Sequence, residues 1–189
     1  MRDLEVRMAL RRELAQQHLG DTRTLIIEEM GIWSGSVRVD IAVVNGELHG
    51  FEIKSARDTL ARLPAQQELY SQVFDRVTLV VAEKHVHKAE QLIPGWWGTM
   101  LASSAGSSVR LREGRPGNVN PTPDALLTVR LLWREEMIAI LGRRGLLGGY
   151  RSASSEKLGR KLIDELATDT LRSEVSLCSL DRALMRRLR

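Results

Sequence analysis

Asp40, Glu52 and Lys54 are the residues whose types and spacing could do chemistry in this chain. They lie in two β-branched, alternating runs, Val37-Arg38-Val39-Asp40-Ile41-Ala42-Val43-Val44 and Glu47-Leu48-His49-Gly50-Phe51-Glu52-Ile53-Lys54, with Asn45-Gly46 between them. An Asn-Gly pair between such runs predicts a β-hairpin. A strand shows alternate side chains on one face, so Glu52 and Lys54 point one way while Phe51 and Ile53 point into apolar packing. On the first strand Val37, Val39, Ile41 and Val43 form the apolar set, which leaves Asp40 on the polar face. Two carboxylates beside a lysine can hold a divalent metal next to a positive charge, as phosphodiester hydrolysis requires.

The hairpin register decides whether the three side chains can meet. A two-residue Asn45-Gly46 loop pairs Asp40 with Phe51 and Val39 with Glu52, which places charge on the apolar face. A three-residue loop, Val44-Asn45-Gly46, with Gly46 in the left-handed conformation as a bulge, restores the parity. Asp40 then opposes Gly50 and lies diagonal to Glu52, and the missing side chain at Gly50 leaves room for an ion. The bulged turn is therefore the expected one.

The surrounding elements follow from periodicity and breakers. Val6, Leu10 and Leu14 stand at helical spacing within residues 3–18. Residues 24–30, 37–44 and 48–54 read as three strands in a meander. Pro64 opens a helix through about Phe74, since proline fits a first helical turn. The apolar run Arg76 to Ala82 predicts a strand buried on both faces. Lys84 to Ile93 reads as a short helix, followed by strand-like pieces near 97–102 and 108–112. The segment Gly114 to Pro121, rich in Gly, Pro and Asn, reads as a linker. Beyond it come a helix from Pro123 to about Leu141, one marked by Leu158, Leu162 and Leu166, and a last one marked by Leu180, Leu184 and Leu188. On that last helix Arg182, Arg186 and Arg189 share a face. The division this predicts is 1–113, a linker at 114–122, and a basic helical appendage at 123–189, docked on the core or acting as an arm.

Asp40 followed by Glu52-Ile53-Lys54 resembles the PD-(D/E)XK signature of restriction-endonuclease-like nucleases, without the proline before the Asp. Gln66 and Tyr70 resemble the Gln-x-x-x-Tyr motif that follows the lysine in RecB-type nucleases. Glu29 stands where many members carry a further upstream acid. The stretch from about Leu25 to Met100 also looks like a small, largely uncharacterised bacterial family of that superfamily, on Glu52 to Ser55, Asp58 to Leu63, Phe74 to Val77 and Trp96 to Gly98. The resemblance covers less than half of the chain. It implies an α/β fold with a restriction-endonuclease-like core, a mixed β-sheet flanked by helices in the order α-β-β-β-α-β, followed by the C-terminal helical appendage.

The resemblance also assigns roles. Asp40 and Glu52 would ligate Mg²⁺ or Mn²⁺, with the Ile53 carbonyl as a usual extra ligand and Glu29 completing the site or binding a second ion. Glu28 is its rival, since adjacent strand residues face opposite sides. Lys54 would orient the attacking water and stabilise charge on the phosphate. Gln66 and Tyr70, at i and i+4, would position DNA or brace the ligands. The expected activity is divalent-metal-dependent hydrolysis of DNA. The alternative is a catalytically silent protein of the same fold that binds DNA or a partner in a repair, phage or defence assembly. A lone Glu-x-Lys on a strand is also the pattern of a solvated ion pair.

Charge is uneven along the chain. Residues 1–109 hold 12 Lys+Arg against 14 Asp+Glu, a net of −2, and residues 110–189 hold 16 against 10, a net of +6. Arginine matches phosphate geometry bidentately, so the basic half, with Arg182, Arg186 and Arg189, reads as a DNA footprint. A homodimer or a larger nucleic-acid-processing assembly is compatible with it. Cys178 is the sole cysteine, which excludes an internal disulfide and a Cys-rich zinc site and suits a reducing cytoplasm. No apolar run reaches membrane-spanning length and the N-terminus shows no apolar signal region, so a cytoplasmic protein is expected. Gly142 to Gly149 lacks the Gly-Lys-Ser/Thr ending of a phosphate loop, which excludes nucleotide binding there. His49 reads as structural, His85 and His87 as a surface pair, and Trp96-Trp97 as a cap on the core.

Overall fold

The computed structural model describes residues 1–32, 37–106 and 108–187. Helix α1 (Asp3–Gln17) precedes a meander of β1 (Leu25–Ile32), β2 (Val37–Val44) and β3 (Leu48–Lys54). Helix α2 (Leu63–Val73) then crosses to β4 (Arg76–Ala82), and a 3₁₀ turn with α3 (Val86–Glu90) leads to β5 (Gly98–Ala105) and β6 (Ser108–Glu113). Four helices follow: α4 (Ala125–Val129), α5 (Arg134–Arg143), α6 (Ser155–Glu165) and α7 (Thr168–Arg187). The strands form one mixed sheet in sequence order, β1 to β6, in which β3–β4 and β4–β5 are parallel and the other neighbours antiparallel. Parallel pairs need a crossover, and α2 and α3 supply the two crossovers.

Each face of the sheet buries its own cluster. On one face Val6, Leu10 and Leu14, at the spacing of a single α1 stripe, pack with Ile41, Val43, Phe51, Ile53 and Val80. On the other, Ala42, Leu48, Val77, Leu79 and Val81 pack with Leu63, Tyr70 and Phe74 from α2 and its C-terminal end. The same cluster continues through Met137, Ile140, Leu158, Leu162, Leu171 and Val175, so α5, α6 and α7 share an apolar core with the sheet. The helix expected over 123–141 is two helices, because Val129, Leu131 and Leu132 turn inward at its middle. The segment Gly114 to Pro121 has no regular structure but is held by its backbone. Asn120 is buried, its N–H donates to the Asp75 carbonyl at 2.8 Å, and its amide donates to the Ser71 and Phe74 carbonyls at 2.7 and 2.9 Å.

The β2–β3 hairpin departs from the expected register by two residues. Its loop is Asn45-Gly46-Glu47, with Gly46 at φ +97°, and Ala42 rather than Asp40 faces Gly50. A shift of two preserves which face each side chain takes, so the alternation of β3 holds. The space at Gly50 is filled by Phe74, whose ring lies 3.1 Å from where a Cβ on Gly50 would stand. No room for an ion remains there.

Candidate functional site

Strand β3 turns Glu52 and Lys54 toward α2, and both are buried. The Lys54 ammonium donates to Glu52 Oε1 at 2.5 Å and to Gln66 Oε1 at 2.8 Å. Gln66 Nε2 donates to Glu52 Oε1 at 2.6 Å. The Tyr70 hydroxyl lies 2.9 Å from both Glu52 Oε2 and the Arg38 carbonyl; with one proton it donates to only one of them at a time. Burial, reinforced by the nearby Asp40 charge, raises the pKa of Glu52 against the opposing pull of Lys54. Burial first, and then the Glu52 charge, also raises the Tyr70 pKa. Tyr70 is held further by the rings of Phe74 and Trp97 at 5.6 and 6.2 Å.

Asp40 belongs to a second network, built on α1. The strand pairing of β2 with β3 runs from Ile41↔Phe51 to Val44↔Leu48. At Asp40 a side chain takes over, as Oδ2 accepts the Ile53 N–H at 2.8 Å. Its Oδ1 accepts from Arg7 at 2.6 Å, and Arg7 also reaches the Asp40 carbonyl at 3.0 Å and Glu29 at 2.8 Å. Glu29 has a left-handed backbone, φ +51°, and a further contact to Arg38 at 3.4 Å. Such a conformation is uncommon outside glycine and upsets the alternation expected of its strand. Glu28 and Glu29 both meet arginines of α1, Glu28 pairing with Arg11 at 2.9 Å. Arg7 had a sequence signal, lying four residues after Asp3 beside the buried Val6 and Leu10, but no charge pattern linked it to Asp40.

The structure therefore brings the predicted residues together in two groups, Asp40 with Glu29 on Arg7, and Glu52 with Lys54, Gln66 and Tyr70. Ile53 joins them by its N–H. Among the described residues, no group of three or more His, Cys, Asp or Glu is arranged to hold a metal ion. Arg182 turns inward, donating to the Leu131 carbonyl at 2.9 Å and to Glu136 at 3.0 Å with its guanidinium 5.0 Å from the centre of the Trp133 ring. Arg186 lies on the backbone of α7, and neither its side chain nor Arg189 is among the described residues.

Other arginines of the basic half also work as internal clamps. Arg143 and Arg144 both hold Glu174, at 2.8 and 3.0 Å, and Arg172 pairs with the buried Asp75, which also accepts the Leu48 N–H at 2.6 Å. Asp75 lies in the Phe74 to Val77 stretch of the resemblance but had no role assigned to it there, and Arg172 carries no local motif. His49 takes the structural place expected of it, stacked on Phe51 at 4.2 Å with Nε2 2.9 Å from the Thr78 hydroxyl, and Trp97 is fully buried as a core cap. No helix among the described residues is long and apolar enough to cross a membrane.

Comparison with known proteins corrects the reading of the motif. The family described as bacteriophage P4 protein cII matches residues 2–182. Protein cII of Enterobacteria phage P4 is 31% identical over 168 residues, covering 89% of this chain and 61% of that protein. The chain thus spans less than two thirds of the length of the curated relative it matches. No solved structure matches it. A similarity running through nearly the whole chain outweighs a short signature covering less than half of it. The resemblance to PD-(D/E)XK nucleases, the nuclease and hydrolase activity it implied, and its description as a magnesium enzyme are overturned. The chain belongs to the bacteriophage P4 protein cII family.

Proposed function

We propose that this chain is a non-catalytic regulatory protein that acts by binding a protein partner. The observation that carries the reading is the closure of the polar cluster. Both Glu52 oxygens, the Lys54 ammonium and both Asp40 oxygens have partners within the chain. Such a network fixes the relative placement of β2, β3, α1 and α2, and a group already satisfied offers little to a substrate. Large apolar side chains are left at the surface in several places, among them Leu4, Met8, Leu126, Trp133 and Leu177. The finer form of the fold belongs to the same proposal: a core like that of restriction-endonuclease-like folds, retained as a scaffold without catalysis, in a cytoplasmic protein.

DNA binding without cleavage is the second reading. It is favoured by Arg110, Arg112, Arg130, Arg151 and Lys157, exposed cations that bond no acceptor among the described residues. The internal clamps at Arg143, Arg144, Arg172 and Arg182 remove much of the phosphate footprint that the sequence suggested. Incubating the full chain with supercoiled, linear and single-stranded DNA in Mg²⁺ or Mn²⁺ tests both readings. The expected result is intact DNA and weak binding. Cleavage would overturn the non-catalytic reading, and tight binding with a steep salt dependence would replace the protein partner by DNA.

A further inference from the structure

Within the reading of this chain as a partner-binding protein, on which this inference rests, the outer edge of β6 has its own chemistry. β6 pairs with β5 on one side, and no described residue bonds its backbone on the other. Such an edge presents a row of backbone donors and acceptors to another chain. Its side chains divide by face. Val109 and Leu111 turn toward α1 and pack against the cluster of Val6 and Leu10. Arg110 and Arg112 are exposed on the opposite face, across from Ser103 and Leu101 of β5, with no carboxylate partner.

A second copy is a poor occupant of this edge. Strands paired antiparallel with matched faces set Ser108, Arg110 and Arg112 against the same three residues of the copy. Arginine then meets arginine or serine and never an acid, and like charges directly opposite are destabilising. The complement of the edge is a strand with acids on one face and apolar residues on the other.

We propose that the β6 edge takes up an extended segment of a partner protein in which apolar residues alternate with Asp or Glu. Backbone hydrogen bonds supply affinity and alternate side chains supply specificity. The acids meet Arg110 and Arg112. The apolar side chains enter a groove of about 620 Å³ between α1 and β6, walled by Met8, Ala9, Val109 and Leu111. Met8 is 49% exposed there and ready to be covered. Glu5, Arg12, Glu13, Gln16, Gln17 and Ser108 also line the groove, so its lining is mixed and its apolar part is the wall of Met8, Ala9, Val109 and Leu111.

The test titrates the full chain with a labelled, end-capped peptide of alternating Val and Glu, beside one of alternating Val and Lys, and follows amide exchange. Wild type should bind the Val-Glu peptide and reject the other, with Val109 and Leu111 amides gaining protection. Arg110→Glu with Arg112→Glu should weaken Val-Glu binding by about tenfold or more and reverse the preference. Arg110→Gln with Arg112→Gln should bind Val-Glu with intermediate affinity, independently of whether the charge reversal perturbs folding. Absence of Val-Glu binding to wild type, an unchanged preference in the Glu variant, or protection away from β6 would overturn the proposal. Intact DNA without peptide binding would remove the β6 assignment alone, whereas DNA cleavage would remove the reading beneath it.

Discussion

His49 shows how a single burial event sets a pH dependence. Burial lowers its pKa from 6.5 to about 4, because the charged ring loses water among Phe51, Thr78 and Val43. Between those values the unfolded chain binds a proton that the folded chain refuses. His49 therefore contributes stability fully above about pH 6.5 and loses it as pH falls toward 4, up to about 3 kcal/mol before allowance for its partial exposure. The raised carboxyls of Glu52 and Asp75 act in the opposite sense, since their folded forms hold a proton more tightly than their unfolded ones. A comparison isolates the histidine. His49→Leu should lose less stability than wild type as pH falls from 7 to 4 in thermal melts, and parallel curves would show that His49 does not couple to folding.

At the level of elements, the β2–β3 hairpin and α2 fit by shape as much as by charge. Gly50 leaves β3 bare where the Phe74 ring lies against it, so a methyl group at 3.1 Å must push the ring aside. Gly50→Ala should lower the urea unfolding free energy by about 1–3 kcal/mol, the range for overpacking a filled core. Adding Phe74→Leu should cost less in the Ala background than in wild type; additive losses would place the strain elsewhere. Here the sequence was only partly legible. The Asn-Gly signal located the hairpin and alternation oriented Glu52 and Lys54, because both rest on local geometry. The loop, however, closes over Asn45-Gly46-Glu47, and Phe74 fills Gly50, because a residue twenty-four positions later decides what the glycine is for. The Arg7–Asp40 and Asp75–Arg172 pairs were hidden for the same reason, as long-range partners leave no spacing to read.

Across the whole molecule, charge composition was a weaker guide than the fold. The +6 balance of residues 110–189 suggested a phosphate-binding face, yet Arg143, Arg144, Arg172 and Arg182 tie α5 and α7 to their neighbours and to the sheet. Glu52 and Lys54 resembled a catalytic pair for a similar reason. Residue types that serve chemistry also serve as buried polar connections, and the partners that distinguish the two uses come from α1 and α2. If the cluster is such a connection, Lys54 holds the structure together, whereas in a metal-dependent nuclease it would act mainly on the transition state and leave the fold nearly unchanged when removed. Urea unfolding of Lys54→Met at pH 8, with and without Mn²⁺, separates the two. Leaving Glu52 buried without its cation should cost about 3 kcal/mol or more, equally in both buffers. Wild-type stability in metal-free buffer would contradict the account, most directly if Mn²⁺ then raised the midpoint of the wild type and of the variant alike.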